Sequence, residues 1–317
     1  MSRLRHAALS TVFAVFALAA SPAQAEQTLP PTPESQLFYT NLTVLRLNPL
    51  GFQNQFELDY RHRLYDPGDS ILLAQNYVGV GISPIVTPGL VRLGVNAKVQ
   101  PLAILKLEVK WEYLSYFGNF NYIQSYKDPT ADYSDTGIEA GGEAGNNYAT
   151  DGWQLTLDAE LRARVGPIIV RSRFKAGYQE VALKNDDTLF HEPYFDLLLP
   201  REGWFFTNDL DLLVQVNPNL IIGVRHAMLA TSYPASVYPG GVAVDDDNSP
   251  VHRVGPLIAY TFFDEPGESF NRPTILLLAG WYLQHRFRAG QDVSQAFPNI
   301  VLGFAFSGDL FDWRTKR

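Results

Sequence analysis

A chain of 317 residues can hold one large domain or two small ones. Its charged fraction is only 18%, its net charge is −8, and it has no basic run, a balance that argues against nucleic-acid binding. The absence of cysteine excludes disulfides, thiolate metal sites, a cysteine nucleophile and a lipoprotein anchor, while 20 Phe, 16 Tyr, 24 Gly and 21 Pro point to strands and turns.

The N-terminus reads as an export signal. Arg3 and Arg5 precede an apolar run from Ala7 to Ala20, and Ser21-Pro22-Ala23-Gln24-Ala25 ends in the small-x-small pattern read by signal peptidase. That run is short of the ~20 residues a spanning helix needs. Residues 1–25 are therefore expected to be removed. They hold two arginines and no acid, so their loss takes the net charge from −8 to −10. Residues 26–35 are polar and Pro-rich and read as a flexible leader.

From residue 36 onward the dominant period is two. Phe52, Phe56, Leu58, Tyr60 and Leu64 alternate with Gln53, Gln55, Glu57, Asp59, Arg61 and Arg63. Val91, Leu93, Val95, Ala97 and Val99 alternate with Arg92, Gly94, Asn96, Lys98 and Gln100. Leu105, Leu107, Val109, Trp111 and Tyr113 oppose Lys106, Glu108, Lys110 and Glu112. The stretch from Trp153 to Val165 sets Trp153, Leu155, Leu157, Ala159, Leu161, Ala163 and Val165 against Gln154, Thr156, Asp158, Glu160, Arg162 and Arg164. Strands of soluble proteins usually run about 5–6 residues, whereas a tilted membrane-crossing strand needs ~9–11. The long charged faces select the membrane barrel over a soluble sandwich.

Twelve strands are predicted, at 37–47, 52–64, 71–83, 90–100, 103–117, 152–165, 168–180, 204–216, 219–231, 252–263, 274–287 and 299–308. Alternation is poorer at 71–83, 219–231 and 274–287, where Ile221 and Leu276-Leu277-Leu278 break it, so ten or fourteen strands also fit. From the fifth strand on, tight turns (Gln100-Pro101, Gly166-Pro167, Asn217-Pro218-Asn219) alternate with long loops (118–151, 181–203, 232–251). Membrane barrels have short periplasmic turns and long external loops, which places both termini in the periplasm. Phe117, Trp153 and Trp204 are expected at the outer membrane interface, and Phe262 and Phe263 at the inner one.

These features resemble Gram-negative outer-membrane β-barrel proteins in general, over residues 36–313. In many of these the last strand closes on an aromatic residue; here Ile300, Leu302, Phe304 and Phe306 alternate, Phe311 and Trp313 follow, and a basic tail, residues 314–317, continues beyond. The resemblance implies an all-β fold, a transmembrane antiparallel up-and-down barrel of about 12 strands behind a cleavable signal peptide.

The expected activity is a porin-like channel for small polar or anionic solutes. Arg162 and Arg164 end one strand while Arg171, Arg173 and Lys175 begin the next, forming a basic patch. Arg61, Arg63, Arg92 and Lys98 are further lumen-facing candidates, with Glu108, Glu112, Asp158, Glu160, Asp209 and Asp211 as counter-charges. A plugged barrel filled by salt bridges fits equally, and gives the alternative of a structural or adhesive barrel with ligand-binding loops.

A lipid-modifying enzyme is a third reading. It needs a serine or acid within reach of an outward histidine; His62 and His285 have the apolar-face parity, but no serine motif sits beside them, and no G-x-S-x-G or H-E-x-x-H occurs. No cofactor, metal site or catalytic residue is assigned. The acidic loop residues Asp128, Asp132, Asp135, Asp186, Asp187, Asp245, Asp246 and Asp247 fit no calcium-loop spacing. The loop at 189–199 (LFHEPYFDLLL) is too apolar for an exposed segment, so it is expected either to fold into the barrel mouth or to pack on a neighbouring subunit. The implied partners are outer-membrane lipid, lipopolysaccharide and the solutes, with assembly into an oligomer compatible.

Overall fold

The computed structural model describes residues 32–242, 248–290 and 293–312. The expected signal peptide, most of the leader, Asp245, Asp246 and Asp247, and the chain from Trp313 through the basic tail lie outside the described residues.

The chain forms β1 (Ser35–Leu47), β2 (Gly51–His62), β3 (Tyr77–Ile82), β4 (Ile85–Val86), β5 (Leu90–Leu102), β6 (Leu105–Tyr116), β7 (Ser125–Tyr126), the helix α1 (Asp135–Glu143), β8 (Thr150–Val165), β9 (Ile168–Val181), β10 (Leu189–Glu192), β11 (Leu197–Pro200), β12 (Glu202–Gln215), β13 (Leu220–Thr231), β14 (Val251–Thr261), β15 (Asn271–Gln284) and β16 (Asn299–Asp312). All neighbouring barrel strands pair antiparallel, and β1 pairs with both β2 and β16, closing the sheet. Both β3 and β4 lie between β2 and β5, so they are one stave with a break, and the barrel has twelve staves. Closure satisfies every ladder without an edge, the condition for a sheet in lipid.

The alternation read from the sequence becomes an inside and an outside. Leu93, Val95, Val109, Leu157 and Leu212 are among the large apolar side chains left exposed on the wall, while their neighbours Asn96, Lys98, Glu108, Thr156 and Asp211 are buried within it. Exposed apolar residues on a closed barrel face lipid. Gln36 pairs with Asp312, so both ends of the barrel chain leave from the same rim. Connections 103–104, 166–167 and 216–219 at that rim are tight, whereas 117–149, 182–201, 232–250 and 285–298 all emerge at the other.

Two predicted strands are corrected. Residues 71–76 of the stretch predicted at 71–83 are turns. The buried Asn76 accepts hydrogen bonds from the amides of Leu64 and Tyr65 and donates to the carbonyls of Tyr65 and Leu73, so its side chain takes over the partners a ladder would have supplied. The short turn expected at 65–70 is thus part of a longer 63–76 connection. The stave then breaks at Ser83-Pro84, because Pro84 has no amide to donate; its carbonyl still accepts from Phe56. The strand predicted at 274–287 begins at Asn271 and ends at Gln284.

One glycine fixes the wall's interior. A Cβ on Gly177 of β9 would overlap the ring of Phe205, which is 1% exposed and points inward from β12. Gly177→Val is expected to displace that ring and cost about 1–3 kcal/mol, the usual price of overpacking, read as a lower temperature for loss of heat-modifiable gel migration.

Candidate functional site

The lumen near the termini carries the charged network. In the ladder Asp158 faces Lys175, Glu160 faces Arg173, and Asp211 faces both Arg171 and Arg225. These registers become contacts: Lys175 to Asp158 at 3.6 Å, Arg173 to Glu160 at 3.2 Å, Arg171 to Asp211 at 2.6 Å and Arg225 to Asp211 at 2.7 Å. On the adjoining wall Lys98 Nζ donates to Asp59 at 2.8 Å and also meets Glu57, Arg61 meets Asp59 at 3.1 Å, and Lys110 lies 3.5 Å from Glu108.

In two of these pairs exposure separates the signs. The side chains of Asp211 and Glu160 are 0% and 10% exposed, whereas those of Arg171 and Arg173 are 35% and 51% exposed. Here the acids lie against the wall and the guanidinium groups reach toward the lumen, while Lys98 and Arg225 are more shielded than Glu57 and Asp209.

Other predicted residues lie elsewhere. Arg162 and Arg164 donate to the turn carbonyls of Ala103 and Gly166, and Arg63 to the carbonyl of Thr32 ahead of β1, so these three are held at the terminal rim. Arg92 donates to Glu192 at 2.7 Å, and Glu112 lies beside Gln154 in the upper lumen. Asp209 meets Arg225 at 3.4 Å. Phe117, Trp153 and Trp204 sit at the loop rim, where Trp153 and Trp204 both pack on Tyr178; Phe262 and Phe263 sit at the other, packing on Tyr260 and Phe270.

The loop end is filled by the chain itself. β10 and β11 form a hairpin in which every strand residue is buried, and β7 adds a third strand. Phe190, Leu197 and Leu199 form one cluster with inward residues of the wall, including Leu90, Tyr116, Phe205, Leu229 and Tyr282. Leu189 and Leu198 pack on the opposite side against Tyr133, Val237 and Phe287 from the other long loops. Of the two placements expected for the 189–199 loop, the structure has the one inside the barrel mouth. The alternation LFHE…LLLP therefore serves two apolar surfaces at once.

Polar contacts fasten the hairpin turn. Arg46 of β1 donates to the carbonyls of Pro193 and Tyr194 at 2.8 and 2.7 Å. Arg288, just past β15, donates to Asp196 through Nε at 2.7 Å and Nη2 at 3.2 Å, and also pairs with Asp135 at the start of α1. His191 Nε2 lies 3.3 Å from Asp196 Oδ1, and His285 Nε2 lies 2.8 Å from the Asp196 carbonyl. Burial alone would push the Asp196 carboxyl up. The hydrogen bonds of His191 and His285 and the charges of His285 and Arg288 outweigh it and hold the group well below the usual carboxylate range.

Sequence reasoning missed Arg46, Glu192, Asp196, Arg225 and Arg288. Arg225 had a readable signal, since it is opposite in parity to Ile222 and Val224 on a strand set beside Asp211. The others meet only through contacts across long stretches of chain, 92 residues in the case of Asp196 and Arg288.

The histidines divide. His285 is buried inside the mouth, correcting its expected outward placement, because β15 ends before it and the chain turns in. His62 does lie on the outer wall at the terminal rim, with its Nδ1 3.0 Å from Ser35 Oγ, and Tyr60 OH lies 3.2 Å from that same hydroxyl. Among the described residues no carboxylate hydrogen-bonds to His62. Asp128 and Asp132 cap turns through the amides of Thr130 and Ser134, and Asp187 accepts from Ser125, so they act as loop fasteners. Among the described residues no group of three or more His, Cys, Asp or Glu could hold a metal ion.

No family model and no curated protein matches the chain. Among solved structures it is similar to the KdgM porin, at 8% identity over 86% of this chain and 99% of that one, with a TM-score of 0.37. It is also similar to the translocator domain of autotransporter NalP from Neisseria meningitidis, at 10% identity over 86% and 88% and a TM-score of 0.39. LpxR from Salmonella typhimurium gives 9% identity over 86% and 99% with a TM-score of 0.36. Likenesses this low say nothing of the site. The chain's own closure, strand length and apolar outer face make it a transmembrane β-barrel of the outer-membrane type.

Proposed function

We propose that this chain is a porin-like outer-membrane channel for small polar, chiefly anionic solutes, closed at its loop end by its own hairpin. The observation that carries this reading is the layering of charge, with the side chains of Asp211 and Glu160 shielded and those of Arg171 and Arg173 reaching the lumen. Cationic heads in a confined lumen raise the local concentration of anions and lower that of cations. The loop rhythm supports termini in the periplasm and the plug on the outside. Arg171 and Arg173 form the selectivity region, and Arg162 and Arg164 contribute to the field at the periplasmic rim. Lipid and lipopolysaccharide contact the apolar outer wall and its aromatic rims.

The test is the reversal potential, in a planar bilayer under a KCl gradient, of the refolded barrel with residues 189–200 replaced by a short Gly-Ser linker. That open barrel is expected to prefer chloride, and Arg171→Ser/Arg173→Ser within it to lose or invert that preference with conductance retained. Conductance that is cation-selective from the start, or unchanged in selectivity by the double variant, contradicts the proposal. The packed interior of the plug favours a second reading, a non-conducting structural barrel, which would give no channel events with or without the hairpin.

A further inference from the structure

The lumen has two unlike walls. From β2 round to β12, and on to Arg225 of β13, the inward positions carry the ion-pair network. From the terminal end of β13 through β14, β15 and β16 to β1 the inward positions below the plug include Ile221, Leu276, Leu278, Ala305 and Leu42. The ladders place Ile221 beside Ala259, Ala259 beside Leu276, Leu276 beside Gly303, Leu278 beside Val301 and Leu42 beside Ala305, so these residues form one continuous apolar arc. A Cβ on Gly303 would lie 3.4 Å from Leu276 and 3.5 Å from Leu42, which shows the two leucines converging over the glycine. Ile221, Leu276, Leu278, Ala305 and Leu42 are only partly buried, although their strands' outward faces separately carry Leu45, Ile222, Ile275, Leu277 and Phe304. The apolar run Leu276-Leu277-Leu278 is thus apolar toward lipid and toward the lumen at once.

A polar-solute channel gains nothing from an apolar half-wall. Partly exposed aliphatic side chains in a wet lumen are costly unless something apolar covers them. The opposite wall offers the exposed guanidinium groups of Arg171 and Arg173 in the same terminal half of the barrel. A solute lying between them would place an apolar body on one wall and an anionic end on the other. We infer that the solutes this lumen takes are amphipathic monoanions, an aryl or alkyl group carrying a carboxylate or sulfonate. This rests on the anion-attracting lumen proposed above and specifies what the anion is attached to.

The experiment uses the refolded chain in lipid nanodiscs, titrated calorimetrically with naphthalene-2-sulfonate and with methanesulfonate. The aryl sulfonate is expected to bind about tenfold or more tightly than the methyl one, since only it covers apolar surface. Leu42→Asn/Leu276→Asn should remove that advantage and leave methanesulfonate unchanged, while Arg171→Ser/Arg173→Ser should weaken both. Ala305→Trp, which fills the arc without making it polar, should likewise weaken the aryl ligand alone. Heat-modifiable migration verifies folding of each variant. Equal binding of the two sulfonates, or an aryl advantage untouched by both Leu42→Asn/Leu276→Asn and Ala305→Trp, overturns the inference. Binding needs no open channel, so a plug that never conducts would sink the channel reading alone.

Discussion

Asp196→Ala is expected to free the hairpin from the barrel mouth while leaving the wall intact. The substitution leaves the Arg288 guanidinium, whose side chain is 4% exposed, with Asp135 as its remaining carboxylate partner. Removing one member of a buried, hydrogen-bonded ion pair costs about 3–5 kcal/mol. Each 1.4 kcal/mol is about a factor of ten, so the open population of the plug should rise by roughly two to three and a half orders of magnitude. The cost falls on the hairpin because Asp196 belongs to its turn and touches no ladder of the wall. Limited proteolysis should cut the variant within residues 189–200, with the barrel still heat-modifiable, and the untreated wild type should resist. Wild-type resistance should also persist into mild acid. A depressed Asp196 contributes its stabilisation in full above the ordinary carboxylate value of about 4 and loses it only as pH falls through its lower folded value.

The second large effect concerns the wall. Leu157 is 48% exposed and lies at the middle of β8, next to the fully buried Thr156. If its face meets the acyl chains, Leu157→Arg places a guanidinium near the bilayer midplane at a cost of about 2–4 kcal/mol. The same arginine at Gln154, inward and beside Glu112, should be tolerated far better. Urea unfolding of the two variants in vesicles separates them. Equal stabilities would mean that the outer face is not lipid-exposed at that level.

The period of two made twelve staves legible because on most strands only one face is apolar. Legibility failed where that contrast fails. The run Leu276-Leu277-Leu278 hid its register because its lumen face is apolar as well. Residues 71–76 are apolar enough for a strand, yet Asn76 supplies turn partners that no periodicity reveals. The basic candidates on β8 and β9 were visible from parity, but parity alone could not say that Arg162 and Arg164 would bend to turn carbonyls while Arg171 and Arg173 face the lumen. The apolar character of 189–199 announced burial; the latch on the hairpin turn did not show, since Arg46 reaches the carbonyls of Pro193 and Tyr194, and Arg288 and His285 reach Asp196, from distant parts of the chain.

Single-channel recording before and after residues 189–200 are replaced by a short Gly-Ser linker tests whether a charged lumen is closed by the chain's own hairpin. The wild type is expected to be closed or nearly so, and the folded, hairpin-less barrel to show steady chloride-selective conductance. A folded hairpin-less barrel that passes no current would contradict that closure.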